Sequence, residues 1–265
     1  MSYLNTLSSE QRKNVDYIIK RMNAEGITNP YVQAGILAVI SKESSFLPKS
    51  ERSYANTSNS RIRKIFSRTK NLSEAQLTAI KKDPKKFFDL VYDGKIGNGS
   101  GEGYKFRGRG LNQLTGRANY EKFNKDTSVD IVKNPDKVND FPVAVDVVLG
   151  YFKHRFTQAG NKLSDYGMKD MNDAKNIAQG VGIAYHANTG WGKSKAQIDN
   201  ETTGGHKKAV DRAPDFVPLT KSLSGKSVSG GGKKKVLIAL GVSVLIVGTY
   251  LILRETGVIK KRKTK

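Results

Sequence analysis

The sequence predicts a mainly α-helical protein, and three observations carry that expectation. Helix-start signals recur along the chain, each followed by apolar residues spaced three and four apart. A long run, Asn139–Thr157, places Val143, Val147, Val148, Tyr151 and Phe152 on one helical face. Towards the C-terminal end, Val236–Leu253 is eighteen residues without a charge.

The elements follow in order. Ser8 and Gln11 form a capping-box pair, Val15, Ile18, Ile19 and Met22 make a helical stripe, and Gly26 ends that helix. Asn29 as N-cap and Pro30 in the first turn open a second helix. Its apolar stripe is Val32, Ile36, Val39 and Ile40, which Glu43 continues before Pro48 stops the helix. Leu72-Ser73 with Gln76-Leu77 predicts a further start, and Asp83-Pro84 another that carries Phe87, Phe88 and Val91 inward. Gly94–Gly103 reads as a loop, Arg117–Asn124 as a short helix, and Asp170–Gly180 as an amphipathic helix. His154, lone on the long helix, reads as a core or boundary residue.

The most informative stretch is Gly101–Tyr120, GEGYKFRGRGLNQLTGRANY. It lacks both helical and strand periodicity and is rich in glycine, arginine, amides and tyrosine. Glycines admit close backbone approach, while amide, hydroxyl and guanidinium groups supply fixed hydrogen bonds. That inventory suits a polyol-binding surface. The ordered pattern Tyr-x-x-Arg-Gly-Arg-Gly-x-x-Gln-Leu-Thr-Gly-Arg-x-Asn-Tyr resembles the substrate-cleft signature of family 19 glycoside hydrolases, the chitinase-like group that includes phage peptidoglycan-degrading lysins. The resemblance implies a lysozyme-like helical domain with a two-lobed substrate cleft. It also implies that Tyr104, Gln113, Thr115 and Asn119 bind substrate, with Thr115 helping to hold the attacking water. Arg107 and Arg109 read as loop-fixing residues.

Two carboxylates precede the signature. Glu43 ends the apolar stripe of its helix, where partial desolvation favours the protonated form that a general acid needs. Glu51 follows across the Pro48 kink. Inverting glycosidases hold two such groups roughly 6.5–9.5 Å apart to admit a water. The segment KESSFLPKSERSY resembles the catalytic-acid segment of the phage-lysin branch, which maps the acid onto Glu43 and the second carboxylate onto Glu51. Plant-type members carry His-Glu-Thr where this chain has Lys42-Glu43-Ser44, and their second carboxylate lies further along. Ser53–Arg68, polar and basic, would cover one wall of the cleft.

Ala187–Ser194 satisfies a relaxed phosphate-loop pattern, but GVGIAYH before it is short and glycine-broken rather than a buried strand. Nucleotide binding is not expected. The family has an Asn-containing loop late in the domain that closes on substrate; Asn188 matches it, with Trp191 beside it as a stacking platform. The chain has no cysteine, and its three histidines are not spaced as metal ligands. No cofactor or metal is expected.

Net charge is +22. From Lys221 onward eleven Lys/Arg face the single Glu255, so the preceding residues still carry +12 of that total. Such a balance favours polyanionic partners: nucleic acid, anionic membranes or the bacterial wall. The first residues lack the apolar core of a secretory signal. The expected organisation is a glycosidase domain over 1–218, a Ser/Gly/Lys linker over 219–235, a single-pass transmembrane helix over 236–253 and a basic tail over 254–265. Both flanks of the span are basic, so orientation stays open.

These expectations combine into a membrane-anchored enzyme that cleaves β-1,4 bonds between N-acetylated sugars of peptidoglycan. An anchor joined to a wall-degrading signature points to a bacteriophage virion protein, in an internal or host membrane, with the basic tail reaching nucleic acid. Two alternatives stay open: a non-catalytic peptidoglycan-binding module, and a structural membrane protein whose basic domain binds nucleic acid.

Overall fold

A computed structural model describes residues 2–224. The expected membrane span 236–253 and basic tail 254–265 lie outside the described residues, as does most of the expected linker. Among the described residues no helix is long and apolar enough to cross a membrane. They are mainly helical and contain no β-strand, as the helix-start signals predict.

The helices are α1 (Ser9–Ala24), α2 (Pro30–Ser44), α3 (Asn59–Ile65), α4 (Glu74–Ile80), α5 (Pro84–Tyr92), α6 (Arg117–Asn124), α7 (Phe141–Thr157), α8 (Asn161–Ser164), α9 (Ile177–Asn188), α10 (Lys195–Asp199) and α11 (Gly204–Ser222). Several starts are the ones written in the sequence. The Ser8/Gln11 and Ser73/Gln76 capping boxes are both closed, each satisfying two of the free N–H groups at a helix start. Asn29 Oδ1 accepts from the N–H groups of Tyr31 and Val32 at 2.9 and 3.2 Å.

Helix α2 is the centre of the fold, packed between α9 and α11. The sequence predicts a one-sided stripe, yet every residue from Val32 to Ser41 is buried. The reason is close approach. A Cβ on Gly35 would stand 2.2 Å from the carbonyl oxygen of Gly180, and one on Gly180 would stand 2.1 Å from that of Tyr31. The two helix backbones touch with no side chain between them. Gln33, buried on the same helix, donates to Asn23 Oδ1 at 2.6 Å and the Ile27 carbonyl at 2.7 Å, which offsets its desolvation.

Three apolar clusters result. The main core joins α1, α2, α7, α9 and α11. A second cluster, including Phe106, Leu114, Tyr120 and Phe123, underlies the glycine-rich loop and α6. A third, built from Ile62, Phe66, Leu77, Phe87, Phe88 and Val91, is the private core of the α3–α5 lobe.

One expectation needs correction. The helix expected over Asp170–Gly180 begins at Ile177, with Asn176 as N-cap. Before it, Asp170 accepts from the Asn172 N–H at 2.6 Å and Asp173 from the Lys169 N–H at 2.7 Å. Short polar side chains there bond the local backbone in place of a helix ladder. Helix α11 runs through Pro214 and Pro218 to Ser222. Both prolines are exposed.

Candidate active site

The site is assembled from the end of α2, the turn after it, the glycine-rich loop and the end of α9. Glu43 sits in the last turn of α2 with its side chain 28% exposed. Its Oε1 accepts from Lys42 Nζ at 2.5 Å and from Asn188 Nδ2 at 3.3 Å. Asn188 is the last residue of α9, so the α2–α9 contact is what brings these residues together across the sequence.

The chain then turns sharply. Ser45 and Phe46 both adopt left-handed conformations, with φ of 52° and 64°. Such backbone is costly for residues with a side chain and persists where surroundings fix it. Here Gln11 Nε2 donates to the Ser45 carbonyl at 2.9 Å and Asn14 Nδ2 to the Phe46 carbonyl at 3.0 Å. The Phe46 ring is fully buried, edge-on to Phe216 at 5.7 Å. Helix α1 thus clamps the turn that re-aims the chain from Glu43 towards Glu51.

Lys49–Glu51 lies along the glycine-rich loop. The Glu51 N–H donates to the Gly108 carbonyl at 2.7 Å, and Gln113 Nε2 donates to the Lys49 carbonyl at 2.8 Å. The loop itself is a tight turn: Arg109 and Leu114 exchange backbone hydrogen bonds at 3.1 and 2.8 Å. Gly110 at φ 79° and Gln113 at φ 55° make that turn possible. Arg109 is buried beneath it, donating from Nε to Asp136 at 2.8 Å and from its guanidinium to the carbonyls of Lys105 and Arg107 and to Tyr120 Oη. Arg109 therefore fixes the loop.

The Glu51 carboxylate is closely surrounded. Oε1 accepts from Tyr54 Oη at 3.0 Å and Tyr92 Oη at 3.0 Å; Oε2 lies 3.1 Å from Tyr92 Oη and 3.3 Å from the Gly108 N. Burial and the adjacent Glu51 charge push the ionisation of both phenols far above the ordinary tyrosine range, so both remain donors. Gly108 lets the loop backbone lie close against the carboxylate. A Cβ there would crowd Gln113 Oε1 at 3.0 Å, Thr115 Oγ1 at 3.2 Å and Glu51 Oε2 at 3.3 Å. Three side-chain oxygens thus gather around this one glycine.

The other expected substrate contacts divide. Asn119 Nδ2 donates to the Thr115 carbonyl at 2.8 Å, which steadies the loop. Tyr104 packs on the lobe core, and the Arg107 guanidinium lies 4.1 Å from its ring centre, covering an aromatic face expected to be open. Trp191 packs on the main core with its ring 5.0 Å from His186. Tyr54 and Tyr92 were not anticipated. Tyr54 follows Glu51 by three residues, and Tyr92 continues the Phe88 face of α5, but neither spacing announces a carboxylate partner. A pocket of about 400 Å³ lies apart from this site, lined by Asp165, Tyr166, Gln179 and Lys195 among others. None of its lining residues belongs to the carboxylate constellation.

Part of the chain has a known counterpart. It is similar to a glycosyl hydrolase family 19 domain-containing protein of Haemophilus influenzae, 38% identical over 82 residues. That stretch is 29% of this chain and 40% of the other protein, so the chain matches less than half the length of this relative. No protein-family model matches the chain.

Proposed function

We propose that the chain is a family 19-type glycoside hydrolase that cuts β-1,4 bonds between N-acetylated sugars of peptidoglycan with inversion. The observation that carries this reading is the convergence of Glu51 Oε2, Thr115 Oγ1 and Gln113 Oε1 beside Gly108. A water that donates to Glu51 Oε2 and to Thr115 Oγ1, whose own proton goes to the Gln113 carbonyl at 2.8 Å, loses a proton to Glu51 as its oxygen bonds to the anomeric carbon. The glycosidic bond breaks, and the leaving oxygen takes the proton of Glu43. Oε1 of Glu43 is engaged by Lys42 and Asn188, which leaves Oε2 to carry that proton. Solvent exchange restores the two protonation states. Asn119, Tyr104 and Trp191 belong to the substrate surface in this reading. The similarity to a family 19 protein supports the reaction class.

The wall is the preferred substrate because the +12 borne by the residues before Lys221 suits a polymer with peptide carboxylates. Val236–Leu253 would anchor the enzyme in a membrane, with KKRKTK at its far side able to meet packaged nucleic acid. This combination suits a virion protein of a membrane-containing bacteriophage that opens the wall locally. Incubating the chain with purified peptidoglycan, and separately with chitin, tests the substrate. Release of new reducing ends from peptidoglycan is the expected result, and the sugar at the new end tells a muramidase from a glucosaminidase. Binding without release would reduce the protein to a wall-tethering module.

Gly108 supplies a second test. Gly108→Ala places a methyl group among the three oxygens and should lower turnover on the order of tenfold to a hundredfold by displacing the water. Thermal melting should move little, because the methyl faces side-chain ends rather than backbone. A variant as active as the parent would remove the water site from this position.

A further inference from the structure

We propose that Tyr54 and Tyr92 form a two-phenol clamp that positions Glu51 and selects Oε2 as the oxygen that accepts the proton. This inference rests on the glycosidase reading and adds residues that the signature does not contain. The contacts are asymmetric. Tyr54 donates to Oε1 at 3.0 Å, and the single hydroxyl proton of Tyr92 lies within reach of both oxygens, at 3.0 and 3.1 Å. Oε1 is the oxygen that both phenols reach, whereas Tyr54 does not reach Oε2. Oε2 has the weaker 3.3 Å contact from the Gly108 N–H and is the oxygen that faces Thr115 and Gln113. A base needs a lone pair directed at the water, and on this carboxylate that lone pair belongs to Oε2.

The rings explain why the clamp holds its place. Tyr54 packs on Phe66 and Phe87 at 5.1 and 5.2 Å, and Tyr92 stacks on Phe88 at 6.0 Å with an interplanar angle of 3°. Both belong to the aromatic cluster of the α3–α5 lobe, which has its own core. Tyr92 therefore comes from α5 of the lobe onto a carboxylate 41 residues earlier, while Tyr54, three residues after Glu51, ties the carboxylate's own segment into the same aromatic cluster. Seating of the lobe and aim of the base become one event. A freely rotating carboxylate would spend part of its time with neither lone pair on the water, and the clamp removes that freedom.

The test is kinetic. Tyr54→Phe and Tyr92→Phe, each in the full chain, keep the rings and delete one donor. Each should lower kcat about tenfold, the scale of one hydrogen bond to a charged group, while KM and the melting temperature stay at parental values. Parental kcat in both variants would overturn the clamp while leaving the glycosidase standing. A loss seen equally in KM and melting temperature would also overturn it, since the phenols would then be mere packing. A parent chain that releases no sugar ends overturns both readings together.

Discussion

Glu43→Gln should lower peptidoglycan hydrolysis by about 10²- to 10⁴-fold, the usual worth of a positioned general acid. Glutamine keeps the shape of the side chain and an acceptor for Lys42 and Asn188, so folding should be unaffected. The partner experiment separates the two carboxylates. On a chito-oligosaccharide with an activated aryl leaving group, no protonation of the leaving oxygen is needed. Glu43→Gln should then recover much of its rate, whereas Glu51→Gln should stay inactive on both substrates. If the two variants respond alike to the leaving group, the acid and base assignments fail. A parental rate for Glu43→Gln on peptidoglycan would remove Glu43 from the chemistry altogether.

The second large effect is on stability. Gly180→Ala brings a Cβ to 2.1 Å from the Tyr31 carbonyl oxygen, a distance that neither rigid helix can absorb by rotating a side chain. Helices α2 and α9 must separate, opening the main core along their contact. The cost should be about 3 kcal/mol or more, at the upper end for overpacking. For a domain of this size that is a fall in melting temperature on the order of 10 °C. Gly192→Ala is the control, since a Cβ there meets nothing within 4 Å. Thermal unfolding of the two variants checks the claim, and equal melting temperatures would refute the close backbone contact. Separation of α2 and α9 should also pull Asn188 from Glu43, so any Gly180→Ala that folds should be a poor enzyme.

What the sequence disclosed, and what it hid, divides by range. Asn29-Pro30 and the Ser8/Gln11 and Ser73/Gln76 pairs disclosed helix starts because capping is a contact between near neighbours. The pairing of Lys49–Glu51 with Gly108–Gly110 was not legible, because nothing in either segment names its partner. Nor was the burial of the whole circumference of α2, which depends on Gly35 meeting Gly180. Helix α11 was not anticipated; it carries Pro214 and Pro218 on its exposed side and is held by Ala213, Phe216 and Thr220. The two carboxylates and the glycine-rich loop stood out by residue pattern. The phenols that grip Glu51 did not, since their role arises only from the packing of both rings into the aromatic cluster of the α3–α5 lobe.

The last helix, finally, sets a clock. Thr220 Oγ1 donates to the Pro30 carbonyl at 3.0 Å, and the Tyr3 N–H donates to Asp215 at 2.6 Å, so α11 closes over the opening segments of the chain. During synthesis α2 leaves the ribosome long before α11 exists. At typical elongation speeds the gap is roughly ten to forty seconds. Through that interval a helix buried over ten consecutive residues lacks one of its covers, and the nascent chain must be shielded or kept apart from its neighbours. Folding of this domain therefore waits on contacts between segments far apart in the chain, and should be slower than its helical content alone would suggest.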